Sequence, residues 1–195
     1  MINLDDYKMT SASGAGLYCG TYKKYNEGSL FGMWIDLEAC SDAEEFFDVC
    51  RELHKDEDDP EFMFQDYQGF PEAMYHESMS NDAIERILEY VHMSDDEKEL
   101  YKDYVELFGD TDKSIDEMHD RCITKGYDSL DDFIDEQAEE MLRQYESMCE
   151  HEYTCRGATG IVDTLRKYFD YEAYRHDMRY EYCMGSNGHI FYSNY

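Results

Sequence analysis

Seven cysteines, seven histidines and 47 carboxylates are the residues of this 195-residue chain with the means for chemistry. Cys149-Glu150-His151-Glu152-Tyr153-Thr154-Cys155 places two thiols and an imidazole close together, as a zinc site would. It lacks a CxxC pair, and no second histidine follows in the spacing of a zincin helix. Asp110, Asp112 and Ser114 begin like a calcium loop. Its sixth position is Ile115 in place of glycine and its twelfth is Arg121 in place of glutamate, so it fails as an EF-hand. Gly14, Gly16 and Gly20 do not fit the dinucleotide fingerprint, and neither a Walker lysine motif nor GxSxG occurs. The histidines are scattered without a nucleophile pattern. So many acids guarantee chance carboxylate pairs, which gives any one pair no weight as a glycosidase site. The residues make no case for an enzyme: no catalytic, cofactor-binding or metal-binding residue is expected.

The chemistry that remains is charge. The 47 acids face 17 Lys and Arg, for a net charge of −30. Such an excess often marks a disordered tail. Here 42% of the residues are hydrophobic and 15% aromatic, with only 2 Pro, which describes a folded protein in an acidic coat. That coat repels phosphate backbones and anionic membranes, which argues against direct nucleic-acid or membrane binding. Basic partners and cations are attracted instead. There is no apolar run of transmembrane length, and residues 1–16 lack the basic end and apolar stretch of a signal peptide. An odd number of widely spaced cysteines points to reduced thiols and a cytoplasmic location.

The elements that carry the charge follow from periodicity and caps. Residues 1–16 end in Ser-Ala-Ser-Gly-Ala-Gly and read as a flexible tail. Leu17–Lys23 and Phe31–Leu37 alternate around Asn26-Glu27-Gly28 and predict a β-hairpin. Ser41 with Glu44 forms a capping box for a helix to about Lys55, with Phe46, Phe47, Cys50 and Leu53 inward. Phe62–Tyr67 reads as a third strand. Asn81–Phe108 is helical, restarted by a capping box at Ser94 and Glu97 and ended by Gly109. Ser114 with Glu117 opens a short helix. Ser129 with Asp132 opens the longest, to about Cys149, with Leu130, Phe133, Ile134, Ala138, Met141, Leu142 and Tyr145 inward. Asp170–Arg179 is a further helix. Tyr180–Met184 and His189–Tyr192 read as strands joined by an Asn-Gly turn.

The acids cluster on the helices. Residues 1–35 carry no net charge, whereas 36–61, 77–112 and 128–152 carry −10, −9 and −9. Solvated helix faces usually mix signs to gain i, i+4 pairs. Three faces of one sign forgo that stability, which makes the field itself a candidate function. Duplex DNA carries one negative charge per about 1.7 Å, so a charge of −30 matches roughly 51 Å of duplex, about 15 base pairs.

Specific residues complete the argument. Tyr18-x-Gly20-Thr21-Tyr22-x-Lys24-Tyr25-Asn26-Glu27-Gly28-Ser29-Leu30-x-Gly32-x-Trp34 resembles the N-terminal signature of the ArdA antirestriction proteins. Phe64-Gln65-Asp66-Tyr67-x-Gly69-Phe70 is similar to their next strand. Tyr168-Phe169-Asp170-Tyr171-Glu172-Ala173-Tyr174-x-x-Asp177 and Asn187-Gly188-His189-Ile190-Phe191 are similar to their C-terminus. The resemblance runs from about residue 17 to the end. It implies a small acidic protein of mobile genetic elements that mimics B-form DNA and inhibits Type I restriction-modification enzymes by occupying the DNA-binding groove of the methyltransferase core. It also implies an elongated, three-part α+β fold that forms a homodimer through its C-terminal part, with the antirestriction motif at Met93–Leu100 to Gly109-Asp110. The tail before Leu17 and a longer region at 127–160 depart from the pattern.

The expected fold is therefore α+β in three consecutive domains. They are an antiparallel sheet plus helix over 17–76, a helical middle over 77–112, and an antiparallel hairpin plus helices over 113–195. Signature residues such as Tyr22, Asn26, Gly28, Gly32 and Trp34 are turn and core types and should build the scaffold. The partner-binding acidic surface is expected at Asp42, Glu45, Asp48, Glu52, Glu85, Glu89, Asp95, Asp96, Glu99, Asp103, Glu106, Asp110, Asp131, Asp135 and Glu139. The alternatives are mimicry aimed at a CRISPR effector or nucleoid protein, an enzyme with a carboxylate pair, and a cation buffer.

Overall fold

A computed structural model describes residues 2–152 and 166–194, the side chains of 146–152 excepted. The Cys149–Cys155 cluster lies outside the described side chains. The protein is α+β, with two three-stranded antiparallel sheets and helices between them in sequence. It divides into two compact units, Met1–Lys98 and Glu99–Tyr195.

In the first unit, β1 (Gly16–Thr21) lies between β2 (Met33–Asp36) and β3 (Phe62–Gln68). The hairpin is present, but Tyr22–Asn26 turns into a short helix, α1, where alternation suggested strand. Thr21 decides this, because its hydroxyl accepts the Lys24 backbone N–H and caps the turn. Gly28, at φ 84°, then reverses the chain. Gly32 allows the close approach of β2: a Cβ there would sit 2.4 Å from the Cys19 carbonyl oxygen. Trp34 meets Tyr18 edge-on at 5.8 Å. The signature residues thus shape the sheet.

The N-terminal residues are not a loose tail. Lys8 bridges Ile35, Met9 donates its N–H to the Trp34 carbonyl at 3.0 Å, and Asp36 donates to Tyr7 at 2.8 Å. The outer edge of β2 has unpaired backbone groups, and this segment covers them. Composition could not reveal a pairing that depends on a strand more than 20 residues away.

Helix α2 (Ala43–Leu53) starts one residue later than the capping box suggested. Asp42 is the cap, accepting from the Glu45 backbone at 2.8 Å, and Glu45 reaches back to Ser41. The register turns Ala43, Phe46, Val49 and Cys50 fully inward, and leaves Phe47 and Leu53 half-buried. Phe46 packs on Phe64 of β3 at 5.6 Å. Helix α3 (Asn81–His92) buries Ile84, Ile87, Leu88, Tyr90 and Val91. Helix α4 (Asp95–Phe108) begins at the expected capping box, with Ser94 and Glu97 bonded reciprocally at 2.8 and 3.3 Å.

In the second unit, α4 buries Leu100, Tyr101 and Tyr104, and Gly109 ends it at φ 83°. Helix α5 (Ser114–Arg121) lacks its expected box. Ser114 instead accepts the Thr111 N–H, and Glu117 accepts the Tyr104 hydroxyl. An unexpected strand, β4 (Cys122–Lys125), follows without a break and pairs with β6 (His189–Tyr192). β6 also pairs with β5 (Tyr182–Met184). Helix α6 (Leu130–Glu152) lays Phe133, Ile134, Ala138 and Leu142 inward, while Tyr145 is exposed. Helix α7 (Tyr171–Met178) packs against α6.

Candidate functional site

The fifteen expected acids fall into three environments. Asp42, Asp48, Glu85, Glu89, Asp95, Asp96 and Glu106 are exposed. Glu45, Glu52, Glu99, Asp110, Asp131, Asp135 and Glu139 are half-buried, and Asp103 is buried completely.

The exposed acids sit on α2, α3 and α4, opposite the apolar stripes. Glu85 and Glu89, four positions apart, share one face of α3, as a 3.6-residue period requires. Some of them also have local work. Asp42 caps α2, Asp48 pairs with Arg51 three residues on, and Glu85 accepts the Ala43 N–H at 2.9 Å.

The half-buried acids are held by neighbours. Glu45 accepts from the Ser41 hydroxyl at 2.6 Å and the Tyr7 hydroxyl at 2.5 Å. Ser41 first, then Tyr7, holds its carboxyl down to about 2. In return Glu45 pushes the Tyr7 phenol up to about 12. Glu52 pairs with Lys55 and Glu99 with Lys125, each at 2.7 Å, and Lys125 holds the Glu99 carboxyl below its usual range. Asp110 accepts the Tyr101 hydroxyl at 2.8 Å.

Asp131, Asp135 and Glu139 form one stripe of α6 at i, i+4 spacing, and the stripe faces α7. Asp131 pairs with Arg179 at 2.8 Å. Asp135 takes a two-pronged bond from Arg175 at 2.7 and 2.5 Å. Arg175 lowers the Asp135 carboxyl from its usual range. Glu139 accepts the Tyr171 hydroxyl and pairs with Arg166 at 3.3 Å. The order of partners shows that the two helices run antiparallel. These three acids join helices; their charges are largely matched inside the fold.

Asp103 contradicts its place on an acidic surface. Its carboxylate is enclosed by the turn between β5 and β6 and accepts from Asn187 and His189. Burial pushes its pKa up, but those donors outweigh it and leave the group below the usual range. The partners lie 84 to 86 residues along the chain, beyond the reach of any local pattern.

A second ionic knot escaped notice in the sequence. Lys24 donates to Asp56 at 2.7 Å, lies 3.3 Å from Glu57 and 3.0 Å from the buried His54 Nδ1, and sits under Phe31. Two acids of the first block thus balance a signature lysine. Among the described residues no three His, Cys, Asp or Glu side chains group as a metal site. Cys19, Cys40, Cys50, Cys122 and Cys183 are free thiols. Among the described residues no helix is long and apolar enough to cross a membrane.

The arrangement displays exposed carboxylates on helices packed by their apolar faces. No curated protein and no solved structure matches the chain. A family model, antirestriction protein (ArdA), matches residues 17–191, nearly the whole chain. The chain belongs to the ArdA family of antirestriction proteins, non-enzymatic DNA mimics that inhibit Type I restriction enzymes.

Proposed function

We propose that the exposed acids of α2, α3 and α4 stand in for phosphates in the DNA-binding groove of a Type I methyltransferase core. Inhibition is then competitive occupancy without chemistry. The observation that carries this is the sorting of the acids: Asp42, Asp48, Glu85, Glu89, Asp95, Asp96 and Glu106 are presented outward, while the other named acids are partly or wholly enclosed. These acids stand six residues apart on α2, four on α3 and ten between Asp96 and Glu106 on α4, which at about 1.5 Å rise per residue gives one charge per roughly 6–15 Å. Duplex DNA carries one per about 1.7 Å. One face supplies less than about a third of that density, so several faces must act together, and no single acid is decisive.

The working form is a homodimer joined through the C-terminal part. Residues 166–194 carry four acids and four bases, unlike the acidic blocks before them. They expose Tyr168, Tyr180 and Tyr192 at 76%, 64% and 43%. Two copies of a chain at −30 meet at least cost where the local charge cancels. The three-part division at 76/77 and 112/113 and the cytoplasmic location belong to the same reading.

The test joins both parts. Wild-type protein should sediment at twice the chain mass and block cleavage by a Type I enzyme. Tyr180→Asp should sediment as a monomer and inhibit less. A monomeric wild type that inhibits fully would refute the dimer. A variant with all seven exposed acids neutralised that still inhibits fully would refute the mimic surface.

A further inference from the structure

The one acid of α4 that faces inward is held by donors on both of its oxygens. Asp103 Oδ1 accepts the Asn187 backbone N–H at 2.8 Å and its side-chain N–H at 2.9 Å, with the Ser186 hydroxyl at 3.4 Å. Oδ2 accepts the His189 backbone N–H at 3.1 Å and lies 2.8 Å from His189 Nδ1. A carboxylate offers about four acceptor positions, and four close donors fill them here. The side chain is 0% exposed and that of His189 7%.

The turn is built around this group. Gly185 and Gly188 close it through Gly185 N–H to His189 O at 2.9 Å and Gly188 N–H to Gly185 O at 3.1 Å. A Cβ on Gly185 would sit 2.4 Å from the Asp103 Cβ, so only glycine lets the turn reach the helix. Every donor comes from the four residues Ser186 to His189, so the contact specifies one docking of the turn.

We infer that Asp103 is a positioning residue: its buried carboxylate binds the Gly185–His189 turn and so fixes the rotation of α4, which sets where the exposed Glu106 presents its charge. An apolar side chain would fill the space without the cost of burying a charge. A charge met by four oriented donors does what an apolar contact cannot, since it accepts one register only. One residue along a helix is a rotation of about 100°, so a slip would turn the acidic side away. Asparagine is no substitute. Its amide nitrogen would confront N–H groups with another N–H.

This rests on the mimic reading, and the experiment separates the two. Displacement of labelled DNA from a Type I methyltransferase core is measured for wild type, Glu106→Gln, Asp103→Asn, His189→Leu and His189→Asn. All are held well below their melting temperatures, with helical content checked by circular dichroism. Glu106→Gln and Asp103→Asn remove the same charge. Glu106→Gln should stay within about twofold of wild type, whereas Asp103→Asn should weaken displacement by about tenfold or more per folded molecule. His189→Leu removes a single side-chain donor and should weaken displacement several-fold, keeping the test alive if Asp103→Asn does not fold. His189→Asn places an amide N–H near the former Nδ1 and should recover most of the loss. Folded Asp103→Asn or His189→Leu protein as active as Glu106→Gln would overturn the inference. If wild type itself displaces no DNA, the mimic reading falls. Amide exchange then decides the anchor: slow exchange at Asn187 and His189 that His189→Leu leaves unaltered would overturn it.

Discussion

Two triple substitutions each remove three negative charges and have opposite consequences. Asp131→Asn, Asp135→Asn and Glu139→Gln strip the stripe of α6 that faces Arg179, Arg175 and Arg166, whose side chains are 52%, 30% and 36% exposed. Pairs this open to water are screened, and such pairs typically contribute about 0–1 kcal/mol each, with two-pronged arginine bonds at the upper end. For a chain of this size one kcal/mol moves Tm by about 2–4 °C. The inward set should therefore lower Tm by about 2–6 °C and leave displacement by the folded protein nearly unchanged. Glu89→Gln, Asp96→Asn and Glu106→Gln take charge from exposed positions on α3 and α4. Loss of like-charge repulsion should leave Tm equal or higher. Three weak ion pairs lost to a basic groove should weaken DNA displacement by about tenfold. Thermal melts and displacement titrations in one buffer provide the comparison. An inward set that keeps Tm and loses displacement would refute the assignment of Asp131, Asp135 and Glu139 to the α6–α7 contact.

The Glu45 carboxyl is held near 2, against about 4.5 in the unfolded chain. Its contribution is complete above the unfolded value and is lost as pH falls toward 2, so Glu45→Gln should flatten acid unfolding in that window. Tyr7 gives the mirror case. Its phenol, raised from 10.0 to about 12, contributes fully below pH 10 and loses that contribution as pH rises through 12, and Tyr7→Phe should remove this alkaline limb of the melting profile. Self-repulsion at −30 should make Tm climb from low salt to about 0.15 M, where the Debye length is about 8 Å; a flat profile would contradict it. Gly32→Ala drives a methyl toward the Cys19 carbonyl and should destabilise the fold by about 1–3 kcal/mol in denaturant titration.

Local signals carried much of this structure. Helices α3 and α4 follow from long apolar periods and a capping box that forms as written. The strands around Asn187-Gly188 follow from turn chemistry. Failures came where distant residues decide. Cys122–Lys125 is a strand because β6 offers it a partner, and nothing within its four residues says so. Tyr7–Met9 is ordered by the edge of β2. Asp103 looks like any acid in an acidic block until residues 186–189 fold over it. The α6–α7 contact did leave a trace. Asp131 and Asp135 are spaced like Arg175 and Arg179, and two such i, i+4 pairs of opposite sign are what an antiparallel helix contact requires. Charge counting alone overstated the outward field for that reason.

The central claim is competition for a DNA groove. Labelled target DNA bound to a purified Type I methyltransferase core is titrated with this protein at physiological salt, and released DNA is followed by anisotropy. Complete release near one dimer per enzyme is the predicted result. DNA that stays bound while cleavage by the complete enzyme stops would contradict groove occupancy.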